Sequence, residues 1–292
     1  MLFGKQKRGD PSESAAKRSA ERDRPQSSGV TVQITPEPVP VVNTAMATHI
    51  GVREYQQDAA YVCRPLYGEG IAYAILCDGM GGTEEGERAG SEVVAFMANR
   101  IAALSDVSCI PEFLERAAKD ANELILEQNE RIRQSSGTTL LTVLMYGDLL
   151  YWLSVGDSRI YIIREGEIVQ VTKDHNLYLE LQELVEIGQI TQEQADADPR
   201  KDHLISYIGA PVLERIDINQ NPFQMKRGDI ILLCSDGLTK ALYPDEISEM
   251  IARYADDISE AARVLPLYAF DQSPGNLDNT TVVLMHYIGS NQ

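Results

Sequence analysis

Five aspartates stand at or next to the ends of short apolar runs. Asp78 follows IAYAILC (71–77), Asp236 follows IILLCS (230–235) and Asp157 follows WLSVG (152–156), while Asp278 precedes NTTVVLM (279–285) and Asp58 precedes AAYV (59–62). Aspartate beside glycine makes turns, and that reading suffices for any one of them. Turn chemistry does not require an aspartate at the end of so many apolar runs. If these ends converge, the carboxylates repel one another and their pKa values rise. Divalent cations relieve that conflict, and an all-oxygen ligand set points to Mg²⁺ or Mn²⁺ rather than zinc. Two such ions about 3.5–4 Å apart could share a water, lower its pKa and direct it in line at a phosphorus. Ser158 and Ser235, each beside an aspartate, resemble nucleophiles, but no base-and-orienter pattern accompanies them.

Other residues add to this chemistry. In DGMGG (78–82) the glycines permit close backbone approach, so the Gly79 carbonyl could face an ion. Arg53, five residues before Asp58, could grip phosphate oxygens bidentately, or it is an ordinary surface arginine. His49, His175, His203 and His286 show no ligand spacing and read as surface or structural residues. Cys63, Cys77, Cys109 and Cys234 lack C-x-x-C spacing, which argues against a disulfide framework or zinc site. No G-x-x-x-x-G-K-S/T loop is present, which disfavours a nucleotide-hydrolysing P-loop.

The elements that must position these residues can be read coarsely. IAYAILC is a buried strand. A helix over about 85–104 carries Val93, Met97, Ile101 and Leu104 on one face, and Pro111 opens a second helix with Leu114, Ala117, Ala121, Leu124 and Ile125 on one stripe. Runs at 138–145, 149–155, 159–163 and 167–172 read as an antiparallel meander. Residues 176–202 turn helical, GDIILLCSDG (228–237) is a strand entering a turn, and 279–288 is a closing strand. Helices are expected at 244–254 and 259–270, with Pro266 kinking or ending the second. The order points to an α+β layered domain rather than βαβ units.

Composition bounds the rest. The chain has 292 residues and a net charge of −18, which argues against general nucleic-acid binding. Residues 1–42 are rich in Ser, Pro and charge, with seven Lys/Arg against five Asp/Glu, and the remainder carries 19 against 39. Such a segment buries too little apolar surface to offset its ordering entropy, so 1–42 is expected to be a disordered tail and 43–292 the folded domain. There is no apolar run of membrane-spanning length, and MLFGKQKRGD lacks a signal-peptide stretch; a cytoplasmic protein with no membrane contact is expected.

Taken in order, VREYQQDAAYV (52–62), LCDGMGG (76–82), SGTTL (136–140), VGDSRIY (155–161), TKDHNLYLELQELVEIGQIT (172–191), DPRKDHLISYIGA (198–210), GDIILLCSDGL (228–238) and LDNTT (277–281) resemble the bacterial metal-dependent protein phosphatases of the PPM (2C) type. The set spans nearly all of 45–288. The resemblance implies an αββα four-layer sandwich, two antiparallel sheets flanked by helices. It implies a Ser/Thr phosphoprotein phosphatase with two core Mn²⁺ or Mg²⁺ ions and a weaker third. Asp78 would bridge the core ions with the Gly79 carbonyl on one, and Asp236 and Asp278 would complete the other. Asp157 with Asp236 matches the third site, Asp58 would orient the attacking water, and Arg53 matches the phosphate-binding arginine. Residues 174–205 match a flap beside the active site. Expected partners are phosphorylated Ser/Thr proteins and a cognate Ser/Thr kinase, with a monomer as the default.

The chain also departs from the family pattern. Gln57 stands where a glutamate ligand is common, Met80 replaces a histidine that eukaryotic members use as a candidate general acid, and Gly-Asn-Leu-Asp-Asn stands for Gly-Gly-x-Asp-Asn. Two alternatives remain beside the active enzyme. One is a regulatory pseudo-phosphatase, a binding module supported by Gln57. The other is a different two-metal hydrolase, a nuclease or small-molecule phosphatase, and the acidic balance disfavours the nuclease.

Overall fold

The computed structural model of the chain describes residues 39–63, 70–81, 84–275 and 277–291. The expected disorder of residues 1–38, and Gly82 of the DGMGG segment, lie outside these. The first elements are β1 (Val39–His49), β2 (Asp58–Cys63), β3 (Ile71–Met80), α1 (Glu84–Ala102) and α2 (Ile110–Ile132). Then come β4 (Gly137–Thr138), β5 (Leu140–Tyr146), β6 (Leu149–Val155), β7 (Arg159–Arg164), β8 (Glu167–Gln170), α3 (Leu177–Glu186) and α4 (Gln192–Asp196). The last are β9 (Asp217–Ile218), β10 (Phe223–Gln224), β11 (Ile230–Cys234), α5 (Asp236–Ala241), α6 (Pro244–Arg253), α7 (Ile258–Gln272) and β12 (Thr280–Asn291).

The strands form two antiparallel sheets. One runs β1-β12-β11-β7-β8; the other runs β10-β6-β5-β3-β2, with β4 on β3 and β9 on β6. The two-residue period of a strand sends successive side chains to opposite faces, and both sheets are apolar on both. In β3, Tyr73, Ile75 and Cys77 pack with α1 and α2, while Ala72, Ala74 and Leu76 face the sheet of β11 and β12. In β11, Ile230, Leu232 and Cys234 pack under α5, α6 and α7, while Ile231 and Leu233 meet the inner face of the sheet of β3 and β5. Three apolar cores therefore separate four layers, the αββα order expected.

Four expectations change. The strand β1 begins at Val39, inside the segment assigned to the tail, because Val39–Val42 pair with the end of β12. The four strands read as one meander split between sheets: β5 and β6 pair in one, β7 and β8 in the other. The chain crosses at Gly156, whose φ of +102° favours glycine and where a Cβ would lie 2.6 Å from the Thr139 side chain. Asp78 lies within β3 rather than beyond it, since β4 extends the pairing through Gly79 and Met80. The helix α7 continues past Pro266 to Gln272, with Pro266 buried on its inner side. Proline deletes one backbone donor, and the packed face outweighs that loss. Among the described residues no helix is long and apolar enough to cross a membrane.

Candidate metal centre

The five aspartates reach one end of the sandwich by different routes. Asp58 opens β2 and sits directly opposite Asp78 of β3. Like charges facing each other across a strand pair are destabilising, so this placement needs a compensating cause. Asp157 lies in the crossover after Gly156, Asp236 is the first residue of α5, and Asp278 precedes β12. Asp78, Asp157, Asp236 and Asp278 line one pocket of about 280 Å³ with Arg53, Gln57 and Gly79. Asp202 and Leu204, from the expected flap, line it as well.

Backbone approach is close at its floor. A Cβ on Gly79 would lie 2.1 Å from the Gly86 carbonyl oxygen and 2.7 Å from that of Gln57, so only glycine fits where β3, β2 and the start of α1 meet. The Gly79 N–H donates to the Gln57 carbonyl at 3.1 Å. Asp78 is fixed by its main chain: its N–H donates to Thr139 Oγ1 at 2.9 Å, and its carbonyl accepts from the Thr139 N–H at 2.9 Å and from Thr138 Oγ1 at 3.0 Å.

Burial and repulsion act on the carboxyls. Burial first, then the charges of Asp58, Asp236, Asp157 and Asp278, push the Asp78 pKa well above the carboxylate range. Burial pushes Asp58 up to about 7 against hydrogen bonds from Ser235 and Thr281, with Asp236 and Asp278 adding to the rise. Asp157 is also pushed to about 7, by burial and then by Asp236, with Lys240 opposing. A cluster that resists ionisation on its own is the electrostatic signature of a site built to receive positive charge.

Two protein cations meet this cluster. Arg53 Nη2 donates to Asp278 Oδ2 at 2.6 Å. Lys240 Nζ closes onto Asp236 Oδ2 from one turn further along α5. Partial burial works against the Lys240 charge, but Asp236, Asp157 and Asp278 outweigh it and push its pKa up. Among the described residues no three His, Cys, Asp or Glu side chains are drawn in to a single ligand point.

The donor set nevertheless fits hard divalent ions. It consists of carboxylates and a candidate carbonyl, with no thiolate or imidazole among the pocket's lining residues. Among the described residues Asp58 Oδ1 is buried with no hydrogen-bond partner, an orphaned acceptor of the kind that needs a water or ion beside it.

Several further residues support the cluster. Ser235 is not placed as a nucleophile: its Oγ donates to Asp58 Oδ2 at 2.8 Å and accepts from the Thr281 N–H at 2.9 Å, which braces Asp58. Ser158 Oγ pairs with Thr139 Oγ1 at 2.8 Å. Asn279 receives the Gln57 N–H at 2.8 Å and donates to the Ile50 and Tyr55 carbonyls at 2.8 and 3.0 Å, tying the Arg53 loop to β12. His175 is buried and structural: Nδ1 accepts from the Gly156 N–H at 3.2 Å, beside Asp157. Burial pushes its pKa down to about 4, so it is neutral at pH 7. Arg159 grips both oxygens of Asp174, with contacts of 2.6–3.0 Å, at the start of the expected flap. Further along that segment, the Ile205 N–H donates to the His175 carbonyl and the Leu177 N–H to that of His203, both at 2.9 Å. Lys240 could have been found from its i, i+4 spacing to Asp236 on a short helix.

A family model described as Protein phosphatase 2C matches residues 47–266. The serine/threonine phosphatase stp of Listeria monocytogenes is 33% identical over 216 residues, covering 72% of this chain and 82% of that protein. The structure of the S. agalactiae serine/threonine phosphatase is 30% identical with a TM-score of 0.74, covering 84% of this chain and 99% of that one. The catalytic domain of the serine/threonine protein phosphatase PstP, a structure in complex with two manganese ions, is 31% identical with a TM-score of 0.67, covering 85% and 98%.

Proposed function

This chain belongs to the protein phosphatase 2C family, and from that premise we propose that it dephosphorylates phosphoserine and phosphothreonine in proteins with divalent metal at the aspartate cluster. The observation that carries the reading is the convergence of five aspartates from five separate stretches of chain on one end of the sandwich, where burial and mutual repulsion raise the pKa values of Asp58, Asp78 and Asp157.

In this reading Asp78, the Gly79 carbonyl, Asp236 and Asp278 would hold two core ions, Mn²⁺ or Mg²⁺, and Asp157 with Asp236 would take a weaker third. When bound, such ions would offset phosphate charge and lower the pKa of a water so that it is a competent nucleophile near neutral pH. Asp58 orients the attacking water through its free Oδ1, with Oδ2 held by Ser235. Arg53, half-exposed at the pocket rim, releases Asp278 and takes two phosphoryl oxygens. The attack is direct, so no phosphoenzyme forms and Ser158 and Ser235 keep their structural roles. The segment 174–205 acts as a flap, bringing Asp202 and Leu204 to the substrate side of the pocket. The enzyme works as a cytoplasmic monomer on the targets of a partner Ser/Thr kinase.

The direct test is release of phosphate from a phosphothreonine peptide with Mn²⁺, with Mg²⁺ and with chelator. Metal-dependent release that Asp236→Asn loses is the expected result. Folded protein that releases none with either metal would move the assignment to a regulatory pseudo-phosphatase.

A further inference from the structure

Lys240 is not among the residues that the chemistry above uses, yet it reaches into the same cluster. It stands four residues after Asp236 on α5, and its ammonium closes onto Asp236 Oδ2. The Asp236 side chain is 16% exposed, whereas that of Lys240 is 59% exposed on a flexible stem. The lysine can therefore withdraw into solvent while the carboxylate stays in place. Its charge also acts on Asp157, the second acid at this edge. At the floor, burial and the neighbouring aspartates dominate the environment of Asp78.

We propose that Lys240 is a tethered competitor for the divalent cation at the Asp157–Asp236 edge, so that the protein's own ammonium sets how much metal that edge needs. The inference rests on the metal-centre reading. An ammonium and a metal ion cannot share one carboxylate oxygen. A singly charged, partly exposed group yields to a divalent ion, but only once the metal concentration offsets the lost ion pair. The core ions draw on Asp78 and Asp278 as well and feel this competition less. The weakest ion, with Asp157 and Asp236 as its side-chain ligands, feels it most.

The experiment counts free Mn²⁺ by electron paramagnetic resonance during titration of the full chain, with no turnover involved. Lys240→Met should tighten the weakest ion by about tenfold, the scale on which groups around ligands tune affinity. Lys240→Arg keeps the charge and should stay within about twofold of wild type, which separates charge from packing. Adding Asp157→Asn to Lys240→Met should remove the gain. An unchanged weak site in Lys240→Met, or a Lys240→Arg protein as tight as Lys240→Met, overturns the competitor role while leaving the core centre intact. Wild-type protein that binds no Mn²⁺ overturns the metal-centre reading and this inference with it.

Discussion

The floor and the rim of the aspartate cluster are built differently. The floor is Asp58 and Asp78, facing each other across β2 and β3, anchored by strand pairing and by threonine and serine hydroxyls. The rim is Asp157, Asp236 and Asp278, on a crossover, a helix start and a loop, with Lys240 on Asp236 and Arg53 on Asp278. The floor is fixed in geometry and unbalanced in charge; much of the rim is balanced in charge and less tightly fixed. Repulsion held in place by a strand ladder costs stability when nothing positive is bound, so it persists only where binding repays it. In the proposed reading the rim's cations hold two of its acids until metal or phosphate takes their place.

Asp78→Asn puts the distinction under the heaviest load. Losing the central carboxylate should lower metal-dependent turnover by at least about a hundredfold. The same change removes, at nearly constant shape, a carboxyl whose ionisation burial and its neighbours oppose. The melting temperature measured in chelator should therefore equal or exceed that of wild type. Asp236→Asn, which deprives Lys240 of its partner, should not share that gain. A metal-free melting temperature several degrees below wild type for Asp78→Asn would mean the floor is not strained, and the comparison would fail.

This division was only half legible in the sequence. Strands with aspartates at their ends are a local pattern, so Asp58, Asp78, Asp157, Asp236 and Asp278 could be singled out from apolar runs and glycine punctuation alone. The order of helical and strand periods pointed to an α+β layered domain, and the αββα sandwich was implied by the family resemblance. Strand partners could not be read from those periods, because pairing depends on tertiary contacts that a turn signal does not encode. Gly156 looked like a hairpin turn and is a passage between sheets. Likewise, the extra length of β3 depends on β4, two residues that arrive after two helices. The partner of Arg53 was hidden for the same reason, because Asp278 is 225 residues away in sequence.

Arg53→Ala tests the rim at its outer edge. If Arg53 exchanges Asp278 for phosphate, losing it should raise KM for a phosphorylated peptide by about tenfold, the scale of one or two charge-assisted hydrogen bonds. Metal affinity should change less than KM, because removing the guanidinium frees a ligand while leaving every carboxylate in place. Steady-state kinetics at saturating metal, beside a Mn²⁺ titration, separates the two. An unchanged KM would return Arg53 to the role of a surface partner for Asp278.

Gln57→Glu gives the smallest effect and bears on the boundary between the two regions. Gln57 lines the pocket beside Asp78, and its side-chain amide lies against Gly86 at the start of α1. A carboxylate there adds a further negative charge next to a floor that is already repelling itself. Without metal, the variant should melt below wild type. With metal, the added oxygen ligand should tighten the core ions by roughly three- to tenfold, since ligand charge sets affinity for hard cations. The gap between melting temperatures with and without Mn²⁺ should therefore widen from both ends. A gap equal to that of wild type would show that position 57 is electrostatically outside the floor, and that the glutamine costs the centre nothing.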